Sequence, residues 1–159
     1  MPVRGRLLET QPEIDALLSR THRVAVLGMK TEAQRGQPAF DVPAYLVAAG
    51  LEVVPVPVYY PDVTTILGRP VYRHLTDVPG QLDLVDVFRR PQDIPPHIDD
   101  IVAKGPRAIW MQLGIRNDSA AERLLEAGID VVQDRCLLVD HSAWVARRAR
   151  GARGSGNFP

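Results

Sequence analysis

Apolar positions fall into short blocks separated by glycine, proline or charge, and the blocks alternate between two periods. Arg23-Val24-Ala25-Val26-Leu27-Gly28-Met29-Lys30 is a nearly continuous apolar run ending in a glycine and a basic residue, the pattern of a buried strand and its turn. Pro38 opens a helical pattern from Ala39 to Ala49, Gly50 stops it, and Leu51-Glu52-Val53-Val54-Pro55-Val56 resumes as a second strand. The three pieces make one βαβ crossover. Further strands are predicted at Leu82–Phe88, Arg107–Met111 and Ile129–Gln133. One intervening helix runs from Asp93, through Ile98, Ile101 and Val102, to Lys104-Gly105. The other starts at the capping-box pattern Ser119-Ala-Ala-Glu122 and stops at Ala127-Gly128. Ahead of them all, Thr10 and Glu13 form a capping box for a short helix whose Ile14, Leu17 and Leu18 share one face, expected to pack at the sheet edge. The proline-rich stretch from Pro57 to Gly80 is irregular, with Pro70-Val71-Tyr72 as a short edge strand.

Strands and helices in this alternation predict an α/β, Rossmann-like three-layer fold: a parallel five-stranded sheet of order 3-2-1-4-5 with helices on both faces. Ligands of such sheets sit beyond the carboxyl ends of the strands, where the strand order reverses. At 159 residues and 45% hydrophobic, the chain suits one core, read as a single domain over 1–150. The glycine-rich end, 151–159, has the composition of a flexible tail. No internal repeat is visible. Nineteen basic residues balance nineteen acidic ones, which gives no support to nucleic acid as the main partner. No apolar run approaches the ~20 residues that span a bilayer, and no signal-type core follows the first residues, so a cytoplasmic protein is expected. The single cysteine, Cys136, fits a reducing compartment.

The loops at the strand ends carry the chemistry. Gly28 allows a tight turn, Lys30 and Arg35 supply positive charge, and the following helix points its N-terminus at the same spot, a phosphate-binding arrangement. The dinucleotide fingerprint is absent: after Gly28 the next glycine is Gly36, and no acidic residue ends the second strand. A phosphate-loop NTPase is excluded by the lack of Gly-Lys-Ser or Gly-Lys-Thr. What remains is a basic rim of Lys30, Arg35, Arg89 and Arg90 with apolar and aromatic surfaces from Tyr59, Tyr60 and Phe88, suited to a phosphorylated adenine nucleotide. Of Arg89 and Arg90, one is expected to face solvent. Trp110 and Met111 read as core. Asp86, inside an apolar strand, either accepts amide bonds from the first loop or is a paired buried carboxylate. His22, His74, His97 and His141 show no metal-ligand spacing, and no serine sits in a Gly-x-Ser-x-Gly elbow, so no catalytic constellation is apparent. Cys136 reads first as a small buried residue, with a reactive thiol beside Arg135 as the alternative.

Five segments in order, Val24-Ala-Val-Leu-Gly28, Val53-Val-Pro-Val56, Asp83-Leu-Val-Asp-Val-Phe-Arg-Arg90, Trp110-Met-Gln-Leu-Gly114 and Asp134-Arg-Cys136, resemble the small stand-alone CoA-binding proteins. They are also similar to the CoA-binding domain at the start of the succinyl-CoA ligase α-subunit. The resemblance covers roughly residues 10–145 and implies a Rossmann-like fold that binds CoA or an acyl-CoA across the strand ends. By the same match the phosphates lie near Gly28, Met29, Lys30 and Arg35. Pro57, Val58, Tyr59, Phe88 and Arg89 enclose the adenosine end. Gln112, Gly114 and Cys136 lie towards the pantetheine arm, where Cys136 could form a mixed disulfide with the CoA thiol. The chain departs from the family at two points. Pro57-Val58-Tyr59 stands where many members have Asn-Pro-Lys, and Pro38-Ala39 stands where Pro-Ser is usual. The phosphohistidine domain of the ligases has no room in this length, so a non-catalytic role is expected. A small NAD(P)-binding oxidoreductase and a nucleotide-independent interaction module are the alternatives, the latter docking through Arg147 to Arg153. A homodimer or another protein partner stays open.

Overall fold

The computed structural model describes residues 3–155. Its centre is a five-stranded parallel sheet: β1 (Arg23–Leu27), β2 (Glu52–Val56), β5 (Leu84–Val87), β6 (Ala108–Met111) and β7 (Asp130–Val132) in the order β2-β1-β5-β6-β7. Counting only these strands along the chain, the order is 2-1-3-4-5, not 3-2-1-4-5. The outer position beyond β2 is not a sheet strand. Arg69–Pro70 (β4) instead makes a two-residue antiparallel ladder with Thr65–Ile66 (β3). Only the Tyr72 N–H reaches β2, at the Pro55 carbonyl 3.0 Å away. Proline supplies the reason twice over: Pro55 offers no N–H along this edge, and Pro70 offers none in return. The expected reversal of strand order, between β1 and its neighbour on the other side, is present at β1–β5.

Helices cover both faces. Alternation along the strands sends Ala25, Leu27, Val85, Val87, Ile109 and Met111 to one side, against α3 (Ile98–Lys104) and α4 (Asp118–Glu126). Val24, Val26, Leu84, Ala108, Trp110 and Val132 go to the other, against α1 (Gln11–Ser19), α2 (Pro38–Ala48) and α5 (Leu137–Ser155). The Thr10–Glu13 capping box is present, but α1 lies on this face and not at the edge. The sheet edge at β7 is occupied by the chain's own start. The Leu8 N–H donates to the Val131 carbonyl at 2.9 Å and the Val131 N–H to the Arg6 carbonyl at 3.0 Å, leaving no open ladder there.

Two terminal signals were misplaced by the local pattern. Helix α4 is capped by Asn117, whose Oδ1 accepts from the Ala120 N–H at 3.0 Å, while Ser119 lies inside the first turn and bonds the same Oδ1. Helix α5, for which no pattern was assigned, extends through Ser155, so residues 151–155 continue a helix. The rest of the expected tail lies outside the described residues. Among the described residues no helix is long and apolar enough to cross a membrane.

Candidate functional site

Four loops converge beyond the carboxyl ends of the sheet. The first leaves β1 at Gly28, where φ is +85° and a Cβ would stand 2.4 Å from the Phe88 carbonyl oxygen; only glycine lets the two chains pass this closely. Met29 then turns back into the core at 1% exposure, so this residue offers the cavity no side chain. Lys30 is placed by an unusual device. Pro43 inside α2 has no N–H to give the Ala39 carbonyl four residues earlier, and the Lys30 N–H donates to that carbonyl instead, at 3.1 Å. The Lys30 ammonium also donates to Gln37, which occupies the cap position of α2. Lysine and helix N-terminus are thus held side by side, with the helix dipole and the ammonium of the same sign.

The loop after β5 brings Phe88, Arg89 and Arg90. The Arg89 guanidinium lies over the Tyr59 ring, 5.5 Å from its centroid, and its Nε is buried without a hydrogen-bond partner among the described residues. Arg90 is exposed and donates to Asp93 at 2.7 Å. The loop after β6 brings Gln112 to Ile115. Gln112 is 4% exposed, and its Oε1 accepts from the Leu137 N–H at 3.0 Å, fixing the amide so that Nε2 is a donor. Gly114, at φ +84°, donates its N–H to Asp134 Oδ1 at 2.6 Å. Asp134 is itself left-handed, at φ +56°, a conformation that costs a non-glycine residue free energy, and it returns its own N–H to the Ile115 carbonyl at 3.1 Å. The loops after β6 and β7 are therefore stapled together. The indole N–H of buried Trp110 adds a bond to the Arg135 carbonyl at 2.7 Å, and Cys136 follows at the start of α5. Arg135 forks onto Asp140 at 2.7 and 2.9 Å, so its charge is committed there and not to Cys136.

These loops enclose a cavity of about 510 Å³ whose wall includes Lys30, Phe88, Arg89, Gln112, Gly114 and Cys136. The α2 start (Gln37, Pro38, Ala39), Arg90, Pro91, Leu113 and Ile115 complete it. Pro57 and Val58 border a different cavity of about 550 Å³, between the end of β2 and the segment Pro96–Asp100. Its His97 is held below the usual imidazole range by burial and by the Arg89 charge. Tyr59, beneath Arg89, joins the β2 end to the first cavity. Arg35 is exposed, with its guanidinium over the Phe40 ring at 5.3 Å, outside either wall. Gln37 and Ile115 were not expected from the sequence, because they carry no motif and take their place only through the fold.

Asp86 lies one row beneath this floor, between Val26 of β1 and Trp110 of β6, two residues before Phe88. Both its oxygens are buried without a partner, so neither expected role, amide acceptor or member of a pair, is present among the described residues. Burial pushes its carboxyl well above the ordinary range.

A doubly covered parallel sheet with a cavity lined by Lys30, Arg89 and Arg90 beyond its strand ends defines a Rossmann-like class of α/β protein. Within that class, residues 22–142 match the CoA binding domain family, and the chain belongs to it. It is 30% identical over 133 residues to the protein YneT of Bacillus subtilis strain 168, covering 84% of this chain and 95% of that one. Among solved structures it is similar to cell-free ID.343 from Thermus thermophilus, at 36% identity and a TM-score of 0.77, covering 86% of this chain and 99% of that one. A protein from Pyrococcus horikoshii OT3 aligns at 28% identity and a TM-score of 0.76, over 91% and 96% of the two chains.

Proposed function

We propose that the chain is a non-catalytic holder of CoA or an acyl-CoA, with the nucleotide lying across the carboxyl ends of β1, β2, β5 and β6. The observation that carries this reading is the set of donors on the wall of one cavity: the Arg89 Nε is buried with no acceptor among the described residues, the Gln112 Nε2 makes no bond to them, and Lys30 stands beside the N-terminus of α2. Buried donors left open cost free energy unless a ligand satisfies them. CoA brings acceptors at matching places, phosphates for the basic side and amide carbonyls for the glutamine.

In this reading the diphosphate rests by Gly28, Lys30 and the N-terminus of α2, which supplies main-chain donors and dipole in place of the serine hydroxyl that Ala39 lacks. The adenosine end runs towards Tyr59, Pro57 and Val58, with Arg89 between ring and phosphate. Arg73, across the second cavity, is engaged with the carbonyls of Tyr59, Tyr60 and Val63 and shapes that loop. The pantetheine arm passes Gln112 and Gly114 towards Cys136. Arg35 acts through long-range charge, and Met29 through its backbone.

Calorimetric titration with CoA, acetyl-CoA, dephospho-CoA, NAD and NADP tests the reading. Micromolar or tighter CoA binding that weakens without the 3′-phosphate supports it. Preference for NADP assigns the cavity to a nicotinamide cofactor, and silence from all five ligands leaves the fold as an interaction scaffold.

A further inference from the structure

Cys136 lies on the cavity wall, and CoA holding assigns its thiol no task. Its carbonyl accepts from the Asp140 N–H at 3.0 Å, so it occupies the cap position of α5, a helix of 19 residues. The side chain is half-buried and free, and it shares the cavity wall with Lys30, Arg89 and Gln112. A thiol at a helix end carries little by itself. The second observation is Gln112, 4% exposed, whose Oε1 is bound by the N–H of Leu137, the residue after Cys136. Its Nε2 is thereby held as a donor that makes no bond to the described residues, on the wall that the thiol shares. A donor so placed calls for a carbonyl, and the pantetheine arm is a chain of amide carbonyls ending in sulfur.

We infer that Cys136 is a covalent capture site for the oxidised form of the nucleotide thiol, taking CoA from a CoA disulfide by thiol–disulfide exchange. The inference rests on the CoA reading above. Cys136 gives its proton to solvent and its sulfur attacks one sulfur of the disulfide. A bond between Cys136 and the CoA sulfur forms as the original S–S bond breaks, and the second CoA leaves as a thiolate that takes up a proton. One disulfide is consumed and one is made, so no further oxidant enters. The basic wall and the Gln112 amide act as the address, because they raise the local concentration of a nucleotide-bearing disulfide over one that lacks the nucleotide.

The test is intact-mass analysis of the full chain, freed of reductant, against CoA disulfide and glutathione disulfide at equal concentration. The expected result is one adduct per chain, of CoA less two hydrogens, reversed by reductant and absent from Cys136→Ser. It should form on the order of 100-fold faster than the glutathione adduct, the gain that binding before reaction allows. Lys30→Ala should slow the CoA adduct more than the glutathione adduct, so that the ratio of the two rates falls. Equal rates for the two disulfides, or no adduct, overturn the inference. Calorimetry of the wild type with CoA in reductant separates the two readings: binding without an adduct overturns capture alone, and absence of binding overturns both.

Discussion

Replacing Asp86 with asparagine should stabilise the protein, by an amount that grows with pH. The carboxyl is 0% exposed, and neither oxygen meets a donor among the described residues. Burial raises its pKa well above the ordinary 3.8. Around and above 3.8 the unfolded chain gives up this proton while the folded chain keeps it. The contribution of the group is therefore most favourable below that pH and is lost as pH rises towards the folded pKa, at about 1.4 kcal/mol per pH unit. Asparagine has the same shape and does not titrate. The stability difference between the two proteins should be flat at low pH and then widen, by ~2.8 kcal/mol over two units if the folded carboxyl remains protonated through them. Against a total of ~5–15 kcal/mol for a domain, that is readily measured. Urea unfolding of both proteins at half-unit steps from about pH 3.5 to 6, read by tryptophan fluorescence with m-values compared, makes the measurement. A difference that stays constant across this range would refute the reasoning, because it would mean that Asp86 is ionised in the folded protein and has a partner.

Gly28→Ala places a methyl 2.4 Å from the Phe88 carbonyl oxygen at a φ of +85°. The left-handed backbone costs roughly 1–2 kcal/mol before the overlap is relieved, so the urea midpoint should fall and CoA affinity with it; an unchanged midpoint would disprove the close approach. Pro43→Ala should move the two properties in opposite directions. Alanine is favoured in a helix interior by up to ~3 kcal/mol, while its new N–H competes for the Ala39 carbonyl that holds Lys30. Thermal stability should rise and CoA binding should weaken about fivefold, the equivalent of roughly one hydrogen bond. A rise in stability with unaltered affinity would show that this carbonyl does not position Lys30. Lys30→Ala and Arg89→Ala should each weaken CoA by roughly 1–3 kcal/mol through lost charge-assisted contacts, and unchanged affinity in both would remove the proposed phosphate position.

Much of the sheet was legible along the chain because burial on both faces writes itself locally. Val24–Leu27, Leu84–Val87 and Ala108–Met111 are apolar runs because each residue meets a helix layer on one side or the other. Glycines at 28, 105 and 128 marked turns because their positive φ is a property of a single residue. The long helix α5 was obscured by its arginines and glycines. Its apolar side, Leu137, Leu138 and Trp144, is narrow, and packing against α1 and α2 decides the helix more than propensity does. Strand order past β2 likewise turned on which backbone groups remained free beside Pro55 and Pro70.

The cavity shows the same division. Gly28, Lys30, Phe88, Arg89, Gln112, Gly114 and Cys136 could be singled out by type and by position at strand ends, but the pairings that give them roles could not. Pro43 releases a carbonyl for Lys30, Leu137 turns the Gln112 amide, Asp134 staples Gly114, Arg135 is spent on Asp140, and Arg35 turns away onto Phe40. Local pattern carries periodicity and turn chemistry, which depend on near neighbours. Which donor is satisfied and which is left open for a ligand depends on groups far apart in sequence, and only the closed register of the parallel sheet brings those groups within reach.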